Sequence, residues 1–240
     1  MKMEKKRILE IFKNKIEAEN QEDLPSENQI TFSNGFQCFV TSVFVDIRDS
    51  TTLFSQSNKS VVAKVIRAFT SEIIEILRDD ENCEDIGIRG DCIFAIYSTP
   101  NQADIHEVVD KCVWVNTYMN MLNSLLSQYG YPNIEVGIGI STSKELVVKA
   151  GRKDVGINDK VWIGKAVTWA SKFSGMGNKN GLPPIVMSNM TYTNSIDLMK
   201  NINSCQEDWF DEYNHREYGR IYTANIVKSE FSNWINGGMQ

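Results

Sequence analysis

Two acidic residues interrupt apolar runs that are typical of buried strands. Asp46 closes the run "CFVTSVFV", and Asp91 follows Arg89 and Gly90 on the short connection between "CEDIGI" and "CIFAIYS". Carboxylates at the ends of neighbouring strands can converge on a hard cation such as Mg²⁺, which prefers oxygen ligands and often binds through one or two carboxylates and the phosphates of a substrate. The pair therefore indicates a site for a divalent cation.

The residues that follow Asp46 favour a bound phosphate beside this cation. The segment "IRDSTTLF" supplies consecutive backbone N–H groups and hydroxyls that lead towards a helix, a setting in which phosphate oxygens are readily held. In the alternative interpretation, Asp46 and Asp49 cap a turn, and Asp91 fills a hairpin position that suits Asp or Asn. The spacing alone leaves both interpretations open, because short motifs often arise by chance.

The elements that must position these acids follow from alternating strand-like and helix-like patterns along the chain. Together they predict an α/β fold with mixed strand directions. The chain divides into an N-terminal helix and linker over 1–36, a folded domain over 37–228 and a C-terminal tail over 229–240. Helices are predicted over 4–19, 61–77, 105–130 and 162–175, and strands over 38–47, 83–88, 92–98, 134–141, 185–186 and 220–227.

Composition argues against several classes of protein. The 240 residues are 42% hydrophobic, which is enough for a sizeable core, and the net charge of −6 disfavours a nucleic-acid surface. The N-terminal segment is charged and no apolar run reaches about 18 residues, so we expect a soluble, cytoplasmic protein without a membrane partner. Five cysteines without a C-x-x-C spacing fit neither a disulfide framework nor a zinc site, and we expect reduced thiols.

Four motifs resemble those of class III nucleotidyl cyclases, and they occur in the family's order along the chain. "FVDIRDST" is similar to the family segment F-x-D-I-x-x-S-T, and "GIRGDCIFAIYS" is similar to the hairpin x-x-x-G-D-x-x-x-A. "VGIGIST" resembles the strand G-I-G-I, and "WIGKAVTWASKFS" resembles the segment x-x-G-x-x-V-N-x-A-x-R-x. The resemblance covers about residues 37 to 228 and rests on the four motifs together.

The resemblance implies a fold and an assembly. Members of this family have a mixed, mainly antiparallel sheet covered by helices, and they work as head-to-tail dimers whose sites are shared between two subunits. Because this chain carries both metal acids and the segment that matches the partner half, we expect a homodimer with two equivalent composite sites. In that dimer Asp46 and Asp91 would face Thr168 and Lys172 of the other subunit.

The resemblance also implies a role for each matching residue. Asp46 and Asp91 would hold two divalent cations, Mg²⁺ or Mn²⁺, with the carbonyl oxygen of Ile47 as a further ligand. One cation would lower the pKa of the ribose 3′-hydroxyl, and the other would neutralise the pyrophosphate leaving group. The β- and γ-phosphates of a nucleoside triphosphate would contact the backbone of three residues: Asp49, Ser50 and Thr51.

Four positions depart from the purine-specific pattern of the family. Where purine cyclases place a Lys or Glu and an Asp or Cys that hydrogen-bond the base, this chain has Gly87 and Val161, which leave space and an apolar wall. The family's transition-state Asn and Arg correspond to Thr168 and Lys172. A lysine still brings a positive charge to the triphosphate, as a point charge rather than a fork. The two base positions favour a pyrimidine substrate.

A compact cyclase with altered base-reading positions most resembles the bacterial pyrimidine cyclases of the Pycsar anti-phage system, which make cyclic UMP or cyclic CMP on infection. This resemblance implies a separate cyclic-nucleotide-activated effector. We favour UTP over CTP as the substrate, although no single residue decides between them. Two alternatives stay open: an ATP- or GTP-using cyclase that reads its base through backbone groups, and a nucleotide-binding regulatory pseudoenzyme.

Overall fold

The structure, a computed structural model, describes residues 5–56, 58–152, 156–202 and 206–239. They form one mixed, mainly antiparallel sheet with helices on both faces, so the expected α/β fold is confirmed. The described strands are β1 (Glu17–Asn20), β2 (Asn34–Ile47), β3 (Cys83–Arg89), β4 (Cys92–Ser98), β5 (Val136–Arg152), β6 (Ile157–Ile163), β7 (Ile185–Ser188), β8 (Asp211–His215) and β9 (Gly219–Ala224). The described helices are α1 (Lys5–Lys13), α2 (Ser50–Gln56), α3 (Lys59–Arg78), α4 (Gln102–Gln128), α5 (Lys165–Ser174), α6 (Asn189–Ile202) and α7 (Ser229–Asn236).

The long strand β2 lies at the centre of the sheet. It pairs antiparallel with β4 from Val40 to Asp46, and with β5 from Gly35 to Ile47. The strand order is β3-β4-β2-β5-β7-β9-β8, with β1 added to β2 and β6 added to β5. Among the pairs within the described ranges, β1–β2 and β5–β7 are the parallel ones.

The two faces of this sheet differ in character, because successive side chains of β2 point to opposite sides. Val43, Val45 and Ile47 point towards α3, α4 and α6, and each is at most 3% exposed. We call this side the apolar face. Phe44 and Asp46 point to the other side, which carries α5, and we call it the cleft face. The alternation of the strand therefore directs the acid at its end away from the main core.

Two glycines of β5 allow α5 to lie directly on the cleft face. A Cβ atom on Gly139 would lie 2.0 Å from the carbonyl oxygen of Ala170, and one on Gly137 would lie 2.0 Å from the carbonyl oxygen of Ser174. Both distances are far shorter than van der Waals contact, so a larger residue at either position would push the helix away. The G-x-G spacing of "VGIGIST" thus reflects close packing of α5 on β5.

A chain of buried hydroxyl groups crosses the apolar face. The Oγ1 atom of Thr41 on β2 lies 2.9 Å from that of Thr99 and 2.8 Å from that of Thr142 on β5. Thr142 continues the chain to Thr191 on α6 at 3.0 Å, and Thr191 lies 2.9 Å from the Oγ atom of Ser188. All of these residues are at most 3% exposed. The hydrogen bonds among these hydroxyls satisfy buried polar groups that would otherwise lower the stability of the fold.

The N-terminal region differs from the prediction. The first described helix ends at Lys13 rather than at residue 19, and residues 17–20 form β1, which pairs with the start of β2. The predicted linker is not a free connection, because Leu24, Ile30 and Phe36 are buried in one apolar cluster. Because polar residues separate these three apolar side chains, the sequence shows no helical or strand periodicity that would predict their burial.

Three further elements were not predicted, and the expected tail is folded. The irregular segment after "VGIGIST" continues β5 and returns as β6, and α6 and β8 follow β7. Helix α7 replaces the tail: Ile235 is buried, and Phe231 contacts Trp114 of α4 with ring centroids 5.7 Å apart. The proposed domain boundaries at 36/37 and 228/229 otherwise stay a prediction.

The described cysteines Cys38, Cys83, Cys92 and Cys112 are free, and Cys205 lies outside the described residues. Burial raises the pKa of the Cys38 and Cys83 thiols to about 11, so both are protonated at neutral pH. Within the part of the chain that the structure describes, no helix has the length and apolar character needed to span a bilayer.

Candidate active site

Asp46 lies near the end of β2, opposite Cys92 of β4 and Gly137 of β5. Its carboxylate makes an ion pair with Arg48, two residues further on. The Arg48 guanidinium also donates to the backbone carbonyl of Asp46, at 3.2 Å, and to that of Gly175, at 3.0 Å. Because Gly175 caps the C-terminal end of α5, Arg48 links the acid to the end of a helix where positive charge is stabilising.

Asp91 lies on the turn between β3 and β4, where Gly90 adopts a left-handed backbone with φ of 67°. The pKa of Asp46 is raised, chiefly because the carboxyl is half buried; Arg48 lowers it, and the charge of Asp91 raises it further. The charge of Asp91 therefore acts on the Asp46 carboxyl, as expected of acids on neighbouring strand ends. A bound cation would relieve their repulsion.

The donors at this position fit a divalent cation that shares its coordination with a substrate. The described residues contain no group of three or more His, Cys, Asp or Glu side chains arranged around one metal position. Two carboxylates without further side-chain ligands suit Mg²⁺, which usually completes its octahedron with waters, backbone carbonyls and phosphate oxygens. The metal-binding role of Asp46, Asp91 and the Ile47 carbonyl stays a prediction.

The chain passes directly from β2 into a short helix, as the sequence predicts. Asp49 has a left-handed backbone with φ of 50°, and Ser50 begins α2. The carbonyl of Asp49 accepts hydrogen bonds from the amides of Thr52 and Leu53 at 2.9 and 3.1 Å. The structure thus places Asp49, Ser50 and Thr51 next to the strand end that carries Asp46. Their contact with phosphates is a prediction that this geometry permits.

A cleft of about 430 Å³ opens on the cleft face between the end of β2 and α5. Asp46 lines it from the sheet, and Thr168 and Lys172 line it from α5, where their spacing of four residues places them on one side of the helix. The hydroxyl of Thr168 donates to the carbonyl of Gly164 at 3.1 Å. The remaining lining residues are Phe44, Arg89, Cys92, Val167, Ser171 and Ser174. Within a single chain, one cleft therefore contains the first acid and both residues expected from the partner half; their arrangement across two subunits stays a prediction.

Gly87 does not leave the gap that the sequence suggests. A Cβ atom on Gly87 would lie 2.8 Å from the ring of Phe94, so this ring fills the space in which a base-reading side chain would begin. Phe94 stacks on Phe44 with ring centroids 5.7 Å apart, and the guanidinium of Arg89 lies 5.2 Å from the Phe94 centroid. The apolar surface beside Gly87 is therefore the Phe94 ring, whereas the sequence led us to expect open space at Gly87 and an apolar wall at Val161.

Val161 lies apart from this cleft within one chain. It belongs to the hairpin arm of β5 and β6 and is 40% exposed. The arm reaches towards the other edge of the sheet, because Lys160 donates to the carbonyl of Glu84 on β3 at 2.6 Å. A contact between Val161 and a base would therefore need a second subunit or a movement of the arm.

Sequence reasoning missed three residues of the site: Arg48, Arg89 and Phe94. Arg48 stands between Asp46 and Asp49, so a cation flanked by two acids was a visible signal for an ion pair. Arg89 precedes the hairpin turn, and it lies over the Phe94 ring because β3 pairs with β4, which the local sequence does not reveal. Phe94 has the pattern of an ordinary strand residue, and nothing in that pattern shows that it covers Gly87.

Residues 34–207 match the family described as the adenylate and guanylate cyclase catalytic domain. The chain belongs to this family. The match spans the four motifs and most of the cyclase domain described above, so the resemblance to class III nucleotidyl cyclases is confirmed. It begins at the first residue of β2, a few residues before the predicted domain start.

Relatives of this cyclase domain agree with that assignment. A protein from Treponema porcinum named uridylate cyclase is 48% identical over 237 residues, covering 98% of this chain and 80% of its own length. A second uridylate cyclase, from Gulbenkiania mobilis, is 29% identical and covers 95% of this chain and 93% of its own length. The crystal structure of the adenylyl cyclase CyaB from P. aeruginosa superimposes with a TM-score of 0.64 at 19% identity, over 79% of this chain and 95% of that one. The last comparison confirms the cyclase fold.

Proposed function

We propose that this cyclase converts a pyrimidine nucleoside triphosphate, UTP in preference to CTP, into its 3′,5′-cyclic monophosphate and pyrophosphate. The observation that carries the proposal is the cleft that joins Asp46 to Thr168 and Lys172 in a chain of this family. The preference for UTP is supported by the two relatives, 48% and 29% identical, that are named uridylate cyclase.

The reaction requires few groups from the protein. The ribose 3′-oxygen forms a bond to the α-phosphorus, the bond from that phosphorus to pyrophosphate breaks, and the 3′-hydroxyl loses its proton. When bound, divalent cations would activate the hydroxyl and neutralise the leaving group. Asp46 and Asp91 would hold these cations, and Lys172 would place a positive charge beside the triphosphate. Thr168 would contribute a hydroxyl at the position of the family's asparagine.

The two positions that correspond to the base-reading residues of purine cyclases support a small base. Purine-specific enzymes of the family read their base with two polar side chains, and this chain has Gly87 and Val161 at those positions. The Phe94 ring covers Gly87 and leaves an apolar surface with Arg89 above it. A purine would lose its polar partners there, and one or two unpaired hydrogen-bonding groups reduce catalytic efficiency by about a hundredfold or more.

Incubation with each of the four nucleoside triphosphates, with Mg²⁺ or Mn²⁺ and product identification by mass spectrometry, tests the proposal. We expect cyclic UMP or cyclic CMP, with kcat/KM at least about a hundredfold above that for ATP and GTP. A preference for ATP or GTP would establish the alternative of a purine cyclase. Binding of a nucleotide without turnover would establish the pseudoenzyme. The double variant with Gly87→Lys and Val161→Asp should lower pyrimidine turnover, because the introduced lysine would meet the Phe94 ring and both substitutions would bring charges to positions proposed to face an uncharged base.

The composite site of a head-to-tail homodimer is a further part of the proposal. It predicts that Asp46→Ala and Lys172→Ala chains, each inactive alone, regain activity when mixed, because each heterodimer then contains one intact site. Subunit exchange is verified independently by native mass spectrometry of differently tagged chains. If heterodimers form and remain inactive, catalysis takes place within the cleft of one chain.

The product is proposed to be a second messenger that activates a separate effector in anti-phage defence within the cytoplasm. The resemblance to the Pycsar cyclases and the names of the two relatives support this role. Phage challenge of cells that express the chain together with a candidate effector tests it. Protection should require the active protein and disappear with Asp46→Ala, and unchanged protection in that variant would contradict the role.

A further inference from the structure

A buried carboxylate lies at the beginning of the helix that carries Thr168 and Lys172. Glu145 belongs to β5, points to the cleft face and is completely buried. Its Oε1 atom accepts a hydrogen bond from the amide of Ala166 at 2.7 Å and another from the Ser143 hydroxyl at 2.5 Å. A carboxylate is favoured at this end of a helix, because the first amides of α5 have no partner within the helix and the helix dipole attracts negative charge.

Gly164, the residue before α5, lies directly against this carboxylate. A Cβ atom on Gly164 would be 2.3 Å from Oε1 of Glu145 and 2.6 Å from Oε2. The carbonyl of the same glycine accepts the Thr168 hydroxyl at 3.1 Å. A short path of contacts therefore runs from Glu145 through Gly164 to the side chain that faces the cleft.

We propose that Glu145 is a positioning residue for catalysis: its carboxylate holds the first turn of α5 and thereby fixes Thr168 and Lys172 towards the cleft. This inference rests on the proposed cyclase function. At its other end α5 is already fixed, because Gly137 and Gly139 allow it to contact β5 and Arg48 donates to Gly175. The Glu145 contact would fix the remaining end and so determine the rotation of the helix.

The position is not explained by stability alone. Burial raises the pKa of Glu145 despite the hydrogen bonds from Ser143, Ala166 and Lys165, so its charge is costly where it lies. In addition, Oε2 has no hydrogen-bond partner of normal geometry among the described residues. The carboxylate is therefore kept at a desolvation cost, and the backbone contact that it makes is with the first turn of α5.

The test compares Glu145→Val with Glu145→Gln. Valine removes the carboxylate acceptor and leaves the Ala166 amide with the Ser143 hydroxyl alone, at 2.9 Å. We expect kcat to fall by about 10- to 100-fold with less than about a threefold change in KM, because misplaced catalytic groups act mainly on the transition state. Glutamine retains an acceptor oxygen of the same reach, so it should restore kcat to within about threefold of the natural protein.

Two further variants separate positioning from loss of stability. Leu126→Ala removes buried atoms of α4 under the apolar face and should lower the melting temperature while leaving kcat unchanged. Gly164→Ala should lower kcat like Glu145→Val, since its Cβ displaces the carboxylate. The double variant Glu145→Val with Gly164→Ala should be no worse than Glu145→Val alone, because the clash is gone.

Hydrogen exchange of the Lys165–Thr168 amides provides a readout that does not depend on turnover. Exchange should accelerate in Glu145→Val and Gly164→Ala and stay unchanged in Leu126→Ala. A natural protein that forms no cyclic nucleotide would refute the proposed function, whereas this exchange pattern would still report the contact. An active enzyme whose kcat is unaffected by Glu145→Val and Gly164→Ala, or falls equally in Leu126→Ala, would overturn the inference.

Discussion

The apolar face and the cleft face are built from the same strands, yet the first forms the main core and the second forms a cleft that contains an acidic residue. On the apolar face, Val45 of β2 and Ile138 of β5 are fully buried under helices, and side-chain packing determines the structure. On the cleft face, Asp46 is paired opposite Gly137, and one helix lies on the glycines beside a cleft. The difference teaches that a single alternating strand can supply a core and a reactive surface, provided that its period-two register is maintained.

The largest expected effect comes from removing a charge on the cleft face. Asp46→Asn keeps the size of the side chain, and we expect cyclisation to slow by at least about a thousandfold, because cation binding contributes several kcal/mol of transition-state stabilisation. Product formation by mass spectrometry measures the rate, and thermal unfolding verifies that the protein is folded. Asp197→Asn on the exposed side of α6 is the matched control and should retain full activity. Near-normal turnover in Asp46→Asn would remove the metal assignment.

A substitution on the apolar face should lower the stability of the protein and have little effect on its activity. Leu77→Ala on α3 removes a fully buried side chain and should lower the free energy of unfolding by about 2–5 kcal/mol, with little effect on the rate per folded molecule. Urea titration followed by activity measurement at low temperature gives both quantities. Leu77→Met, which nearly conserves volume, should cost less than about 1.5 kcal/mol. A specific loss of kcat in a well-folded Leu77→Ala protein would show that the two faces are not independent.

Gly139→Ala sharpens the comparison, because it acts where α5 touches the sheet. Its Cβ would meet the Ala170 carbonyl at 2.0 Å, so the helix must move, and we expect a loss of about 1–3 kcal/mol in stability together with a lower kcat. Gly35→Ala in β2 is the control, since that Cβ would first meet the Leu146 and Val148 side chains at 3.0 Å, which can shift. Equal effects of the two substitutions on kcat would contradict a special role for the contact between Gly139 and α5.

The smallest expected effect concerns pH. The pKa of Glu145 is raised above its ordinary value of 4.5, chiefly by burial. A group with a raised pKa contributes stability below its unfolded value and loses it as the pH rises through the folded value. The free energy of unfolding of the natural protein should therefore fall relative to that of Glu145→Gln as the pH rises above 4.5. Urea denaturation of both proteins at several pH values measures this, and a pH-independent difference would contradict it.

The sequence predicted most of the sheet and two of the three helices of the apolar face, α3 and α4, because β2 and α3 have strong apolar periodicity; α6 was missed. The hairpin around Asp91 and the helix after Gly164 were also predicted, since glycine and charge mark their ends. The N-terminal strand was missed because its residues, Glu17–Asn20, are all exposed and mostly polar. It is held by backbone pairing with β2, a contact that no local pattern reveals.

The family motifs named the residues of the candidate site, and their roles stay predictions. Asp46, Thr168 and Lys172 line one cleft of a single chain, whereas the motifs led us to expect Asp46 to face Thr168 and Lys172 of a second subunit. The filling of Gly87 by Phe94 was missed, because it depends on the pairing of two strands rather than on either sequence alone. For the same reason Glu145, which follows the polar residues Ser143 and Lys144, gave no sign in the sequence that it contacts a helix 21 residues later in the chain.

The buried hydroxyl chain on the apolar face has a consequence for how the protein finds its native pairing. Sliding β5 along β2 by two residues would keep every apolar side chain on the correct side, so hydrophobicity alone barely opposes this error. The slip would, however, separate Thr41 from Thr142 and leave buried hydroxyls unpaired, each costing about 1–3 kcal/mol. It would also displace Asp46 from Gly137 by roughly 7 Å. The buried threonines of the apolar face thus favour the alignment of β2 and β5 in which Asp46, on the cleft face, lies opposite Gly137 and beside α5.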